Sequence, residues 1–488
     1  MQSRTECPPS QAAFRATPHE QALGGSPCKP DQARPYPTRT APGQGSPRRA
    51  PAARRHPAPR AAAAPKAPTT ESQQETIIIS AGRLIVLHRC CTYLCYRFRM
   101  DIILCGTSAW EYWRTPPELR AVEIPLEIAC CASTGGLGLP KSLVTPRANA
   151  NEVESIIRPR LLKDLKGLSL PVHAMLADPI RHKSKLIFAH RKHPLLERRN
   201  CIELGGGLWV TDPTFTLATS KNAQTAAELA YNMTEACGLY CRMPRTDRLA
   251  WTYSKMLETQ DNSHVPRSST GCNAYSDADG RAISFVDTHG NLLHWSPATT
   301  RNGTSSNLWK RPPLTNRQDL LLLTEKLRGQ RDSVLPRQAA NMCLEGSGSP
   351  FETKVALMLT CSVYQGGEGW ERPSLNRVIP FSEEAQTLAE MPYCIGDMVW
   401  PAQRVCLECN GMAFHADRQG FKVSSGRSAA LRSSGYTVLE ISYDQFANLE
   451  KLDAMSNQFA AALGFPLKKR TVAFLRRREA LHSQLVRL

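Results

Sequence analysis

Tyr393-Cys394-Ile395-Gly396-Asp397-Met398-Val399-Trp400-Pro401-Ala402-Gln403-Arg404-Val405-Cys406-Leu407-Glu408-Cys409-Asn410-Gly411 is the stretch whose reading decides the fold. Two apolar runs flank a short Pro-containing connection, which predicts a pair of hairpin strands. Upstream, Gly346-Ser347-Gly348-Ser349-Pro350-Phe351-Glu352 leads into Val355-Ala356-Leu357-Met358-Leu359. Ser at the N-cap, Pro at the first helical position and Glu at the third predict a helix start. Between lie Gly366-Gly367 and the apolar run Leu375-Asn376-Arg377-Val378-Ile379. Downstream come Phe414-His415, a helix from about 424 to 434 stopped by Gly435, and a last strand over 436–442. The order of helix, strands, helix and strand predicts an α/β domain.

Alternation along a strand puts Cys406, Glu408 and Asn410 on one face, with Leu407 and Cys409 on the other. Asp397 and Glu408 then stand on neighbouring strands. Two strand carboxylates joined by a third from a helix suit a hard divalent cation such as Mg²⁺. Such an ion activates water and neutralises charge on a phosphodiester. The plainer reading makes Asp397 a turn residue and Glu352 a helix cap. Glu408 resists it, because a carboxylate between Leu407 and Cys409 in an apolar strand needs a partner.

These residues resemble the PD-(D/E)XK nuclease superfamily, and more closely an uncharacterised bacterial family related to the very-short-patch repair endonucleases. The resemblance is carried over roughly 100 residues by Ser349-Pro350-Phe351-Glu352, Gly366-Gly367, Pro373-x-Leu375-Asn376, Asp397-x-x-Trp400-Pro401, Glu408-x-Asn410-Gly411 and His415. It closes with Arg427, Leu431 and Gly435-Tyr436-Thr437-Val438-Leu439. It implies a restriction-endonuclease-like αβ core with Asp397 and Glu408 as metal ligands. It further implies Glu352 as the helix-borne acid, and His415 as general base or water-orienting group. Two positions depart from the family pattern. Asn410 stands where Lys or Asp is expected, and Ser424 where the closer relatives carry Asp three residues before the helical Arg. The chain is therefore expected to be either a Mg²⁺-dependent DNA endonuclease or a degenerate relative of one.

Other chemistries fit less well. Cys406-x-x-Cys409 has zinc-knuckle spacing, but alternation separates the thiols and no second Cys or His pair follows, so no zinc is expected. Neither a G-x-x-x-x-G-K-[ST] loop nor a G-x-S-x-G elbow occurs.

Residues 100–243 alternate short apolar runs with helical stretches. Strands are expected within 168–176 and 185–190, a hairpin or tight loop around the glycines 205–207, and a helix over 223–238. This part resembles the middle of the abortive-infection antitoxin and transcriptional-regulator family. The carriers are Gly106-Thr107-Ser108-Ala109-Trp110, Leu170-Pro171-Val172-His173, Trp209-Val210-Thr211-Asp212-Pro213 and Glu235-Ala236-Cys237-Gly238-Leu239-Tyr240. The resemblance implies DNA binding or a toxin or other protein partner, although the usual N-terminal helix-turn-helix is not evident. Residues 244–318 read as linker and insertion, and 319–488 as the nuclease-like domain.

Residues 1–99 read as a disordered basic Pro/Ala-rich tail, with Met100 a candidate alternative start. The chain carries 61 Lys+Arg against 43 Asp+Glu, a formal charge of +18 over 488 residues. The tail, with 15 basic and 5 acidic residues, holds +10 of it, so global charge says little about DNA. Residues 466–488 hold seven Lys/Arg against one acid. Their Leu467, Phe474, Leu475, Leu481 and Leu485 are expected to pack, with Lys468, Lys469, Arg470, Arg476 and Arg477 facing DNA phosphate beside Arg427. Seventeen scattered cysteines in a long chain fit reduced thiols rather than a secreted disulfide framework. No run reaches the roughly 20 apolar residues of a membrane span. A cytoplasmic bacterial protein is expected. The competing reading is a non-catalytic DNA-binding regulator of antitoxin type that uses the nuclease fold as scaffold.

Overall fold

The computed structural model describes residues 78–80, 83–85, 102–125, 152–179, 184–221, 223, 225–260, 275–276, 282–283, 294–299, 305–411 and 418–488. The chain forms two units, 1–87 and 88–488. Of the first, the strands Ile78–Ser80 and Arg83–Ile85 pair antiparallel. The rest of the expected tail 1–99 lies outside the described residues.

In the second unit, five strands form a mixed sheet: β1 (Ile102–Leu104), β2 (Val172–Leu176), β3 (Ile187–Arg191), β4 (Cys201–Gly205) and β5 (Leu208–Thr211). Their spatial order is β3-β2-β1-β5-β4. Alternation assigns Ile102, Leu104, Val172, Ala174, Leu208 and Val210 to the main core, and Ile103, Met175 and Trp209 to a smaller cluster with Phe215 on the other face. Gly205, Gly206 and Gly207 all take positive φ between β4 and β5, which L side chains resist. Helix α1 (Gly106–Arg114) follows β1, and α2 (Pro213–Ala218) follows β5 on an Asp212 cap. Helix α3 (Ala226–Ala236) starts where Thr225 accepts from the Glu228 N–H.

The boundaries expected at 243 and 318 do not interrupt the core. Strand β6 (Tyr240–Arg242) pairs with β8 (Ser305–Lys310), which also pairs with β7 (Ser296–Thr299). Within 244–318, the stretch read as linker and insertion, β7 and β8 form a sheet with β6. One apolar cluster runs from Ile102 through Met243, Trp309 and Leu320 to Leu485. Glu235, fully buried on α3, accepts from Arg114 and from Arg242 side chain and backbone.

The C-terminal part is built from α4 (Pro350–Thr360), β9 (Ser374–Pro380), α5 (Glu383–Ala389), β10 (Tyr393–Trp400), β11 (Val405–Asn410), α6 (Arg418–Ser433) and β12 (Thr437–Ser442). Strand order follows the sequence, with β9-β10 and β10-β11 antiparallel and β11-β12 parallel across α6. Phe351 through Leu359 are all buried, so α4 is a core helix apolar on nearly every side. Met398, Trp400, Val405, Leu407 and Ile441 share the core cluster of α4; Ile379, Cys394, Val399, Cys406, Ala430 and Leu431 form the opposite layer. The last helices, α7 (Leu449–Leu463) and α8 (Val472–Arg487), close the unit. No helix among the described residues is long and apolar enough to cross a membrane.

Candidate functional site

One break in strand alternation organises the site. In β10, Cys394 and Val399 face one layer while Met398 and Trp400 face the other. Residues 394 and 398 share parity, so the strand switches faces between them. Gly396 lies on the Cys406 side, where an added Cβ would stand 2.7 Å from the Cys406 sulfur. The switch therefore falls at Asp397. Strand β9 does the same: Leu375 faces the main core and Ile379 the other layer, and Asn376 between them has φ 47°. The register pairs Leu375 with Met398 and Arg377 with Gly396, which leaves Asn376 and Asp397 as the pair at the switch.

Asp397 uses its position to satisfy the neighbouring strand. Its Oδ2 accepts from the Cys409 N–H at 2.8 Å, beyond the last β10–β11 pair, Met398 with Leu407. Glu352 arrives from the first turn of α4, held by the Ser349 cap as the sequence predicts. Its carboxylate does not return to the cap N–H. It accepts instead from the Gly348 N–H at 2.8 Å and from Asn376 Nδ2 at 2.6 Å. Asn376 also donates to the Gly346 carbonyl at 3.0 Å and so ties α4 to β9. Residue spacing alone does not reveal the part Asn376 plays in the site. The Leu375-Asn376 motif marks the residue, and its left-handed backbone within a strand is the feature that singles it out.

The charges at the switch oppose one another. Glu352 is pushed up to about 7, first by burial and then by the Asp397 charge. Burial raises Asp397 too, against the Cys409 N–H and the Arg427 charge. Near neutral pH this pair favours holding a proton or a cation. The folded-state pKa of Glu352 lies above its ordinary 4.5. The stability it contributes is then full below pH 4.5 and lost as the pH rises to about 7. Chemical unfolding in chelator should register a fall on the order of 1–3 kcal/mol across that window, absent in Glu352→Gln. Identical pH profiles for the two proteins would refute the assignment.

Glu408 is 4% exposed. The partner its apolar strand required is Arg427 of α6, in an ion pair, and the Cys406 thiol donates to it at 3.2 Å. Arg427, expected on phosphate, is thereby engaged by a site acid. Asn410 donates to Glu440 of β12 at 3.0 Å. Among the described residues, no three His, Cys, Asp or Glu side chains converge as a ready metal-ligand set. His415 lies outside the described residues, as does the side chain of Ser424. Cys406 and Cys409 belong to opposite layers, and burial pushes the Cys406 thiol to about 12 and that of Cys409 upward.

The basic C-terminus divides between fold and surface. Arg470 bonds buried Glu368 at 3.0 Å, and buried Arg478 bridges Glu368 at 2.9 Å and Asp453. Arg477 donates to the Val363 carbonyl at 3.3 Å. Lys468, Lys469 and Arg476 remain exposed. The apolar side holds Phe474, Leu481 and Leu485, whereas Leu467 and Leu475 are exposed, contrary to expectation. A helix face that must carry Arg478 inward to Glu368 turns Leu475 out, and Leu467 precedes the helix. The Gly366-Gly367 motif serves the same junction. Cβ atoms there would lie 2.3 Å from the Arg477 carbonyl oxygen and 2.1 Å from that of Cys361.

Comparison of the chain with family models, with curated proteins and with solved structures found no match in any of the three.

Proposed function

We propose that the chain is a Mg²⁺-dependent DNA endonuclease of the PD-(D/E)XK type, acting in the bacterial cytoplasm. The observation that carries this reading is the meeting of a helix acid, Glu352, with a strand acid, Asp397, at the switch in the sheet, and Glu408 on the adjoining strand. The donor set suits the ion: the carboxylates of Asp397 and Glu408 offer hard oxygens, and a divalent cation at Asp397 would offset the charge it sets against Glu352. Asp397 and Glu408 would hold the metal, which supplies an activated water and charge neutralisation on the phosphodiester. Glu352 stays hydrogen-bonded to Gly348 and Asn376 and holds a proton or charge at the edge of the site. His415 is assigned to orient water. Glu408 would join the ligands only on release of Arg427, whose guanidinium would then be free for backbone phosphate.

That exchange is testable. Arg427→Gln removes the competitor, so Mn²⁺ binding by the variant should tighten roughly tenfold, the worth of about one pKa unit of charge interaction. DNA affinity should fall in the same variant. Unchanged Mn²⁺ affinity would mean that the ion pair does not compete with metal.

The Glu408–Arg427 pair and the Asn410–Glu440 bond favour a second reading. In it the acids are spent on the fold, and the chain is a non-catalytic DNA-binding regulator whose 100–243 region engages a toxin or other protein. Plasmid incubated with protein and Mg²⁺ separates the two. Nicking or linearisation supports the nuclease; intact plasmid with salt-sensitive DNA binding supports the regulator.

A further inference from the structure

Phe188 is 53% exposed, and no other phenylalanine whose side chain is described is exposed. It stands on β3, an edge strand of the five-stranded sheet. Ile187 points into the main core, so alternation turns Phe188 and His190 to the opposite face. His173 on the neighbouring strand is registered with Phe188. The three rings form one platform. His173 stacks on Phe188 with centroids 5.1 Å apart and planes 23° apart, and on His190 at 5.1 Å and 28°. A hydrogen bond between His173 Nδ1 and His190 Nε2, 3.0 Å apart, holds the imidazoles together. Burial lowers the pKa of both, and the Lys221 charge lowers His190 further, so near neutral pH the rings present uncharged aromatic faces.

The chain around this platform is basic. Residues 184–200 hold Lys185, Arg191, Lys192, Arg198 and Arg199, all exposed, against one acid, Glu197. Arg199 pairs with Glu197, and Arg198 lies over the Trp209 ring at 5.7 Å. Exposed Lys221 pairs with Asp332. One exposed and two half-buried rings among cations complement a polyanion with unpaired bases. They do not complement an apolar protein face, which would have to desolvate the cations.

We propose that this face of β2 and β3 binds single-stranded DNA, with unpaired bases on the rings of Phe188, His173 and His190 and the phosphates among the surrounding Lys and Arg. The choice of DNA over RNA rests on the nuclease reading; the platform does not.

Fluorescence anisotropy of a labelled 15-nucleotide oligo-dT, titrated with the full chain in chelator to prevent cleavage, tests the proposal. Binding should weaken as salt rises. Phe188→Ala should lose roughly tenfold in affinity with an unchanged melting temperature, and Phe188→Trp should keep it, because any aromatic face can stack a base. No binding by the wild type, equal binding by Phe188→Ala, or a preference for duplex of the same length would overturn the proposal. Tighter binding of oligo-U than oligo-dT would overturn its commitment to DNA. Asp397→Ala should bind oligo-dT as the wild type does. Loss of plasmid cleavage with oligo-dT binding intact therefore concerns the switch acids and leaves the platform standing.

Discussion

Asp397→Ala is expected to lower Mg²⁺-dependent plasmid cleavage by about 10³-fold or more, because a metal ligand supports several kcal/mol of charge stabilisation and each 1.4 kcal/mol is tenfold in rate. A structural cost accompanies it. The Cys409 N–H loses its acceptor, and an unpaired buried donor costs roughly 1–3 kcal/mol. Asp397→Asn separates the effects, since its amide oxygen still accepts from Cys409 but carries no charge. Both variants should be inactive, and only the alanine should unfold at lower urea. Wild-type cleavage rates in Asp397→Asn would remove this residue from the metal site.

Glu368→Ala is expected to destabilise the fold by about 3–5 kcal/mol, the usual cost of removing one partner from a buried ion pair. Glu368 is fully buried and receives Arg470 and Arg478, the second only 1% exposed. Asp453 is itself partly exposed and leaves Arg478 under-compensated. Adding Arg478→Met should recover much of the loss, because the stranded charge goes with it. Urea midpoints of the single and double variants check this. A loss under about 1 kcal/mol for the single variant would mean that solvent reaches Arg478.

Much of the fold was legible because the signals were local. Ser349, Pro350 and Glu352 mark the start of α4, the glycines 205–207 mark the connection between β4 and β5, and the apolar spacing marks α3. What resisted reading depends on contacts distant in sequence. The face switch at Asp397 leaves no trace in a strand that otherwise alternates, so Glu352 and Asp397 could be named as site acids but their opposition could not. Nor does a count of basic residues distinguish Lys468, which reaches solvent, from Arg478, which closes on an acid more than 100 residues earlier. The region 244–318 read as linker because β7 and β8 are short and polar. Their partner β6 lies before the supposed boundary.

Asp397 and Glu408 are proposed to hold a divalent metal, and Mn²⁺ soaked into crystals of the wild type tests this most directly. The expected result is an anomalous peak within about 2.0–2.6 Å of carboxylate oxygens of Asp397 and Glu408, with Arg427 withdrawn from Glu408. Glu408 still paired with Arg427, and no manganese at Asp397 at saturating concentration, would contradict it.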